Sequence, residues 1–130
     1  MDLNAIAPMA QFLGIKMIEI TPSRVIAELY GRPEFANRGG NVHGGIIMAM
    51  ADSVGGQATS ANLSQGQTTS TIESKTNFFA SIPLNQIIRA ECAPLHLGRT
   101  TIVVQTRIIR ADGRVAAMIT QTQIVLPAKG

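Results

Sequence analysis

A chain of 130 residues is long enough to bury a sizeable core and is best read as one domain over residues 1–130. The net charge of +3 comes without a basic run, and only 4% of the residues are aromatic, which excludes a typical nucleic-acid surface and leaves room for a small polyanionic ligand. One cysteine, Cys92, excludes an intrachain disulfide and a zinc cluster and reads as a small core residue; with no signal-peptide pattern and no bilayer-length apolar run, a cytoplasmic protein without membrane contact is expected.

Ile6, Met9, Ala10 and Leu13 recur at helical spacing, so a short helix is expected over Ala5 to Leu13 with Gly14 as its stop. Ile15 to Ile20 and Arg24 to Tyr30 read as strands joined by Thr21-Pro22-Ser23. Then comes the stretch Asn37-Arg38-Gly39-Gly40-Asn41-Val42-His43-Gly44-Gly45, whose paired glycines mark a loop. It feeds Ile46-Ile47-Met48-Ala49-Met50-Ala51-Asp52, apolar nearly all round, which predicts a buried helix from about Gly44 to about Asn62. Such a helix has free N–H groups at its first turn, and Asp52 is the first charge on it, costly when buried unless paired or used. Gly55-Gly56 within the helix predicts close packing against a neighbour.

The second half is almost continuous β signal. Strands are expected over Thr68 to Ala80, Leu84 to Ala93, Arg99 to Arg110 and Arg114 to Leu126, with Leu95-His96-Leu97-Gly98 linking the middle pair and Asp112-Gly113 as the final hairpin turn. One buried helix followed by a run of strands predicts an α+β fold with an antiparallel sheet around the helix. Met48 and Met50 read as core filling, Asn41 as a cap, and Arg107, Arg110 and Arg114 as solvated charges.

Asn37, five intervening residues, His43-Gly44-Gly45 and then Asp52, eight residues after the first glycine, resemble the pattern of hotdog-fold acyl-CoA thioesterases. The branch most similar is the phenylacetic-acid-pathway type, related to the mammalian thioesterase superfamily members. Thr71-Ile72-Glu73-Ser74-Lys75-Thr76-Asn77-Phe78-Phe79 looks like that family's third strand, and Leu97-Gly98-Arg99-Thr100, Asp112-Gly113 and Val115-Ala116-Ala117 also match. The likeness covers most of the chain past Ala36.

The resemblance implies a hotdog fold, a long central helix wrapped by an antiparallel sheet, and hydrolysis of an aryl- or short- to medium-chain acyl-CoA. It implies Asp52 as general base or nucleophile, the Gly44 N–H polarising the thioester carbonyl, and Asn37 and His43 orienting substrate or water. It also implies an assisting hydroxyl, at Ser70 by counting from Asp52 or at Thr71 by aligning on Asn77-Phe78. Thr71, read as sharing a strand face with Glu73, is favoured. Gly45, Glu73, Phe78, His96, Gly98, Arg99 and Thr100 are the substrate and CoA contacts implied, with Arg99 the first choice for the CoA phosphates. No metal and no cofactor beyond the CoA of the substrate is called for. A dehydratase or hydratase on the same fold needs other motifs, and a silent acyl-CoA-binding subunit needs no carboxylate.

Gly44 and Asp52 lie about 12 Å apart along a helix at 1.5 Å per residue, too far for one carbonyl to touch both. Two helices antiparallel across a two-fold axis would bring Gly44 of one copy to Asp52 of the other. A homodimer at least is therefore expected, with a tetramer built as a dimer of dimers also open.

Overall fold

The computed structural model describes residues 6–128. Helix α1 (Pro8–Leu13) ends where Gly14 turns left-handed at φ 86°, donating its N–H to Ala10 and Gln11 carbonyls. The expected start of this helix at Ala5 lies outside the described residues. Strands β1 (Lys16–Ile20) and β2 (Val25–Tyr30) form a hairpin closed by the Thr21 Oγ1, which both accepts from the Arg24 N–H and donates to its carbonyl. A 3-10 turn at Pro33–Phe35 leads to the glycine loop and to α2 (Gly44–Ser60). Four long strands complete the chain: β3 (Thr68–Phe78), β4 (Ile87–Leu97), β5 (Thr101–Ile109) and β6 (Val115–Leu126).

Among the described residues the strands form one antiparallel sheet in the order β1-β2-β4-β5-β6-β3. Alternation does the packing: Val25, Ala27 and Leu29 of β2, Ile88, Ala90 and Cys92 of β4, and Ile102, Val104, Thr106 and Ile108 of β5 are all buried. Against them α2 sets Ile47, Met50, Ala51, Val54 and Ala58, spaced by three and four residues. Burial pushes the Cys92 thiol up to about 11, in keeping with an inert core residue. This is the α+β hotdog architecture implied by the resemblance. No helix among the described residues is long and apolar enough to cross a membrane.

Three expectations are corrected. Helix α2 is not sealed all round: Gly45, Met48 and Asp52 face outward in the single chain, and Asp52 is exposed, not buried. Apolar letters alone do not say on which side the sheet lies, and this side is lined by small residues and methionine. Of the two helical glycines, only Gly55 is closely packed, while nothing lies within 4 Å of a Cβ placed on Gly56. The link between β4 and β5 is Gly98-Arg99-Thr100 alone, because β4 continues past Pro94 through a bulge at Leu95 and ends at Leu97. Proline is tolerated at such an irregularity, which is why it does not end this strand.

Candidate active site

Helix α2 begins without a partner for its first donor. The His43 ring caps it, Nδ1 accepting from the Gly45 N–H at 2.9 Å, and the ring proton is therefore left on Nε2. The His43 carbonyl accepts from Ile46 and Ile47, while the Gly44 N–H donates to no group among the described residues. Phe78, at the end of β3, lays its ring over this turn: a Cβ on Gly44 would sit 3.1 Å from Phe78 Cζ. The missing side chain is what lets the ring approach. Gly44 and Phe78, together with Asn37, Asn41 and Ile82, line a cleft of about 380 Å³.

Asn37 does two things in that loop. Its Oδ1 accepts from the Asn41 N–H at 3.0 Å, and its own N–H donates to the Asn41 carbonyl at 2.7 Å, so the Asn41 side chain is not the cap expected of it. The cap is His43. Asn37 is exposed and lines the Gly44 cleft, and its amide nitrogen makes no hydrogen bond among the described residues.

Asp52 lies roughly two turns further along, at 3.6 residues per turn, in a second cleft of about 550 Å³ lined also by Met9, Ala49, Ser53, Gly56 and Thr69. Its Oδ1 accepts from the Gln121 amide at 2.9 Å. The second carboxylate oxygen makes no hydrogen bond among the described residues, and Asp52 as a residue is exposed. The single chain thus brings an oxygen base and an open N–H donor onto one helix, but not into one cleft.

The strand β3 supplies hydroxyls, and its bulge decides which. Residues opposite one another in an antiparallel pair point to the same side. Thr71 pairs with Gln123, which is buried on the helix side, and its Oγ1 accepts from the Gln123 amide at 2.7 Å. Ser70 pairs with Ile124 on the far side. An extra residue, Ile72, then shifts the register, so that Glu73 pairs with Thr122 and faces away from the helix. The expectation that Thr71 and Glu73 share a face is therefore wrong: across the bulge β3 advances two residues while β6 advances one, so the two side chains fall on opposite faces.

The remaining candidates gather at the β4–β5 turn. The Gly98 N–H donates to the Thr101 carbonyl, and the Thr100 carbonyl accepts from the Val125 N–H, each at 2.8 Å. His96 is exposed on β4 with its ring against Gly98, where a Cβ would fall 2.5 Å from Nε2. Arg99 is exposed, forms no ion pair among the described residues, and with Gln67, Thr100 and Val125 lines a cleft of about 240 Å³. Three other arginines are engaged, Arg89 and Arg107 on Glu91 at 2.7 and 3.1 Å and Arg110 on Asp112 at 2.5 Å, while Arg114, like Arg99, forms no ion pair among the described residues. These pairs hold both carboxyl groups below their usual range. No group of three or more His, Cys, Asp or Glu side chains converges as a metal site among the described residues.

Gln121 and Gln123, which touch the two candidate oxygen groups, escaped the sequence reading. A signal was there: they share strand parity with Ala117 and Ile119, so two amides fall on the core side of an otherwise aliphatic strand.

Residues 39–117 match the family model described as the thioesterase superfamily. A candidate esterase of Saccharolobus solfataricus is 34% identical over 120 residues, 92% of this chain and 84% of that protein. Among solved structures, a mutant of the phenylacetic acid degradation protein PaaI from Thermus thermophilus superposes with a TM-score of 0.85 at 21% identity, covering 92% of this chain and 100% of that one. A hypothetical thioesterase from Streptococcus pneumoniae, solved with coenzyme A, gives 0.80 at 22% identity, covering 89% and 91%. At these identities the two structures speak to the fold.

Proposed function

The chain belongs to the thioesterase superfamily and is a thioester hydrolase, and from that premise we propose that it cleaves an aryl- or short- to medium-chain acyl-CoA to the free acid and CoA. The observation that carries the reading is the open side of α2, with an unpartnered Gly44 N–H at its start and the Asp52 carboxylate roughly two turns on, in separate clefts. A second copy with its α2 antiparallel to the first joins the two clefts into one site, twice. A structural relative solved with coenzyme A favours CoA as the carrier.

In this site the Gly44 N–H, reinforced by the positive end of the helix, holds the thioester carbonyl and then the oxyanion. Asp52 of the second copy delivers the oxygen. As base it takes a proton from water, whose hydroxide adds to the carbonyl carbon; as nucleophile it adds directly, and water then opens the anhydride. Collapse of the tetrahedral centre breaks the C–S bond, and the CoA sulfur leaves and takes up a proton. The His43 Nε2–H and the Asn37 amide orient substrate and water, and Thr71, whose oxygen already accepts from Gln123, has its own proton to donate. Phe78 and Gly45 line the acyl end, while Arg99, with Gly98, Thr100 and His96, offers the CoA phosphates a positive turn. Glu73, turned to the other side of β3, is left on the periphery. The chemistry requires no metal and no cofactor beyond the CoA of the substrate.

The test is hydrolysis over a panel of acyl-CoAs followed with a thiol reagent. Asp52→Asn keeps the shape and removes the base, so turnover falls by about a hundredfold or more. Gly44→Pro removes the N–H and is inactive as well. Mixed and reassembled, folded preparations of the two form about half hybrid dimers, each with one intact site of two, and roughly a quarter of wild-type activity returns. Subunit exchange without recovered activity would place both groups of a site on one chain and end the shared-site reading.

A further inference from the structure

Gln121 is fully buried at the centre of β6 and reaches across to α2. Its Nε2 donates to Asp52 Oδ1 at 2.9 Å, and its Oε1 has no hydrogen-bond partner. The amide lies flat on bare helix backbone: a Cβ on Gly55 would fall 1.8 Å from Oε1 and 3.0 Å from Cδ. Gly55 therefore exists as the seat of this amide. A buried acceptor left unmet opposes folding, and an aliphatic side chain of the same length would fill the space without that cost. Stability does not account for a glutamine at this position.

We propose that Gln121, seated on Gly55, is a positioning residue that fixes the rotamer of Asp52, an inference that rests on the assignment of Asp52 above. One carboxylate oxygen is tied to a neutral amide, and the other is left aimed into the cleft for water or the thioester carbon. An amide suits the task because it donates without adding charge next to the carboxylate. Two residues along the same strand, Gln123 holds Thr71 Oγ1 in the same manner, so β6 sets two oxygen groups from two other elements.

Four variants test this: Asp52→Asn, Gln121→Met, Gly55→Ala, and Asp52→Asn with Gln121→Met. Gln121→Met keeps the volume and removes the donor; kcat falls about ten- to hundredfold, the range for a misplaced reacting group, with KM within about twofold and the melting temperature not lowered. Gly55→Ala puts a methyl where the amide lies and lowers kcat in the same direction, although alanine favours the helix. The double variant is no slower than Asp52→Asn alone, as required of a residue acting through Asp52. Wild-type kcat in folded Gln121→Met, beside an inactive Asp52→Asn, overturns the inference and leaves Asp52 standing. If Gln121→Met does not fold, Gly55→Ala decides: reduced kcat supports the inference and wild-type kcat overturns it. Wild-type kcat in Asp52→Asn removes both readings together.

Discussion

Met48 and Met50 stand two residues apart on one helix, yet Met50 is 0% exposed and Met48 is 43% exposed. The first belongs to the side of α2 pressed on the sheet, where aliphatic side chains interlock. The second belongs to the side shared by Gly45 and Asp52, with small residues and polar groups and no cover in the single chain. The sealed side explains why the chain folds. The open side carries the Asp52 carboxylate and starts at the unpartnered Gly44 N–H, the two groups on which the proposed chemistry turns, and that is the lesson of the contrast: identical letters serve the core or the site according to a rotation of about 200° around the helix axis, at 3.6 residues per turn.

The contrast can be broken first at the core. Met50→Ala empties a fully buried site and should cost about 2–5 kcal/mol in denaturant unfolding, whereas Met48→Ala should change stability by no more than about 0.5 kcal/mol under conditions where the chain is monomeric. The Met48 variant should instead shift the concentration dependence of self-association, read by sizing or ultracentrifugation. Equal losses of stability from the two would mean that the helix is sealed on both sides.

Arg99 sharpens the same contrast from the sheet end. It is exposed and has no carboxylate partner among the described residues, unlike Arg107 and Arg110. Arg99→Ala should raise KM several-fold, on the order of one lost exposed charge contact, and flatten its dependence on salt, with kcat nearly unchanged. An effect confined to kcat would move the CoA phosphates elsewhere.

Glu91 gives the smallest effect. Its carboxyl is held low mainly by the Arg89 hydrogen bond and also by Arg107. A depressed folded-state value means that this contribution is present above the ordinary value of 4.5 and is lost as pH falls through the folded-state one. Glu91→Gln should therefore flatten the fall of the melting temperature below about pH 4.5 and leave activity at neutral pH unchanged, since the trio lies on the face of the sheet away from α2. An unaltered acid limb would show the trio to be surface decoration.

Periodicity made most of the fold legible. Alternation in β2, β5 and β6 and the three-four spacing of α2 point to the layers, and Gly14 and Gly113 mark a helix end and a hairpin turn by their left-handed conformations. What periodicity could not carry was any place where one residue breaks the count. The Leu95 bulge hid the true end of β4, and the Ile72 bulge put Thr71 and Glu73 on opposite faces. The candidate site was proposed from its motif, whose Gly44-to-Asp52 spacing is rigid because both residues lie on one helix. Gln121 was not, because its meaning depends on Asp52, 69 residues away.

The Ile72 bulge also gives β3 a tolerance of length that no point substitution reveals. Loss of that single codon would remove the extra residue and leave every pairing in place, with Thr71 opposite Gln123 and Glu73 opposite Thr122. The strand would run straight, with Thr71 still toward the helix and Ser70 still toward the outside. The extra residue can therefore be kept or dropped without carrying a hydroxyl from one side of the sheet to the other, so the length of this strand is free to change where its faces are not.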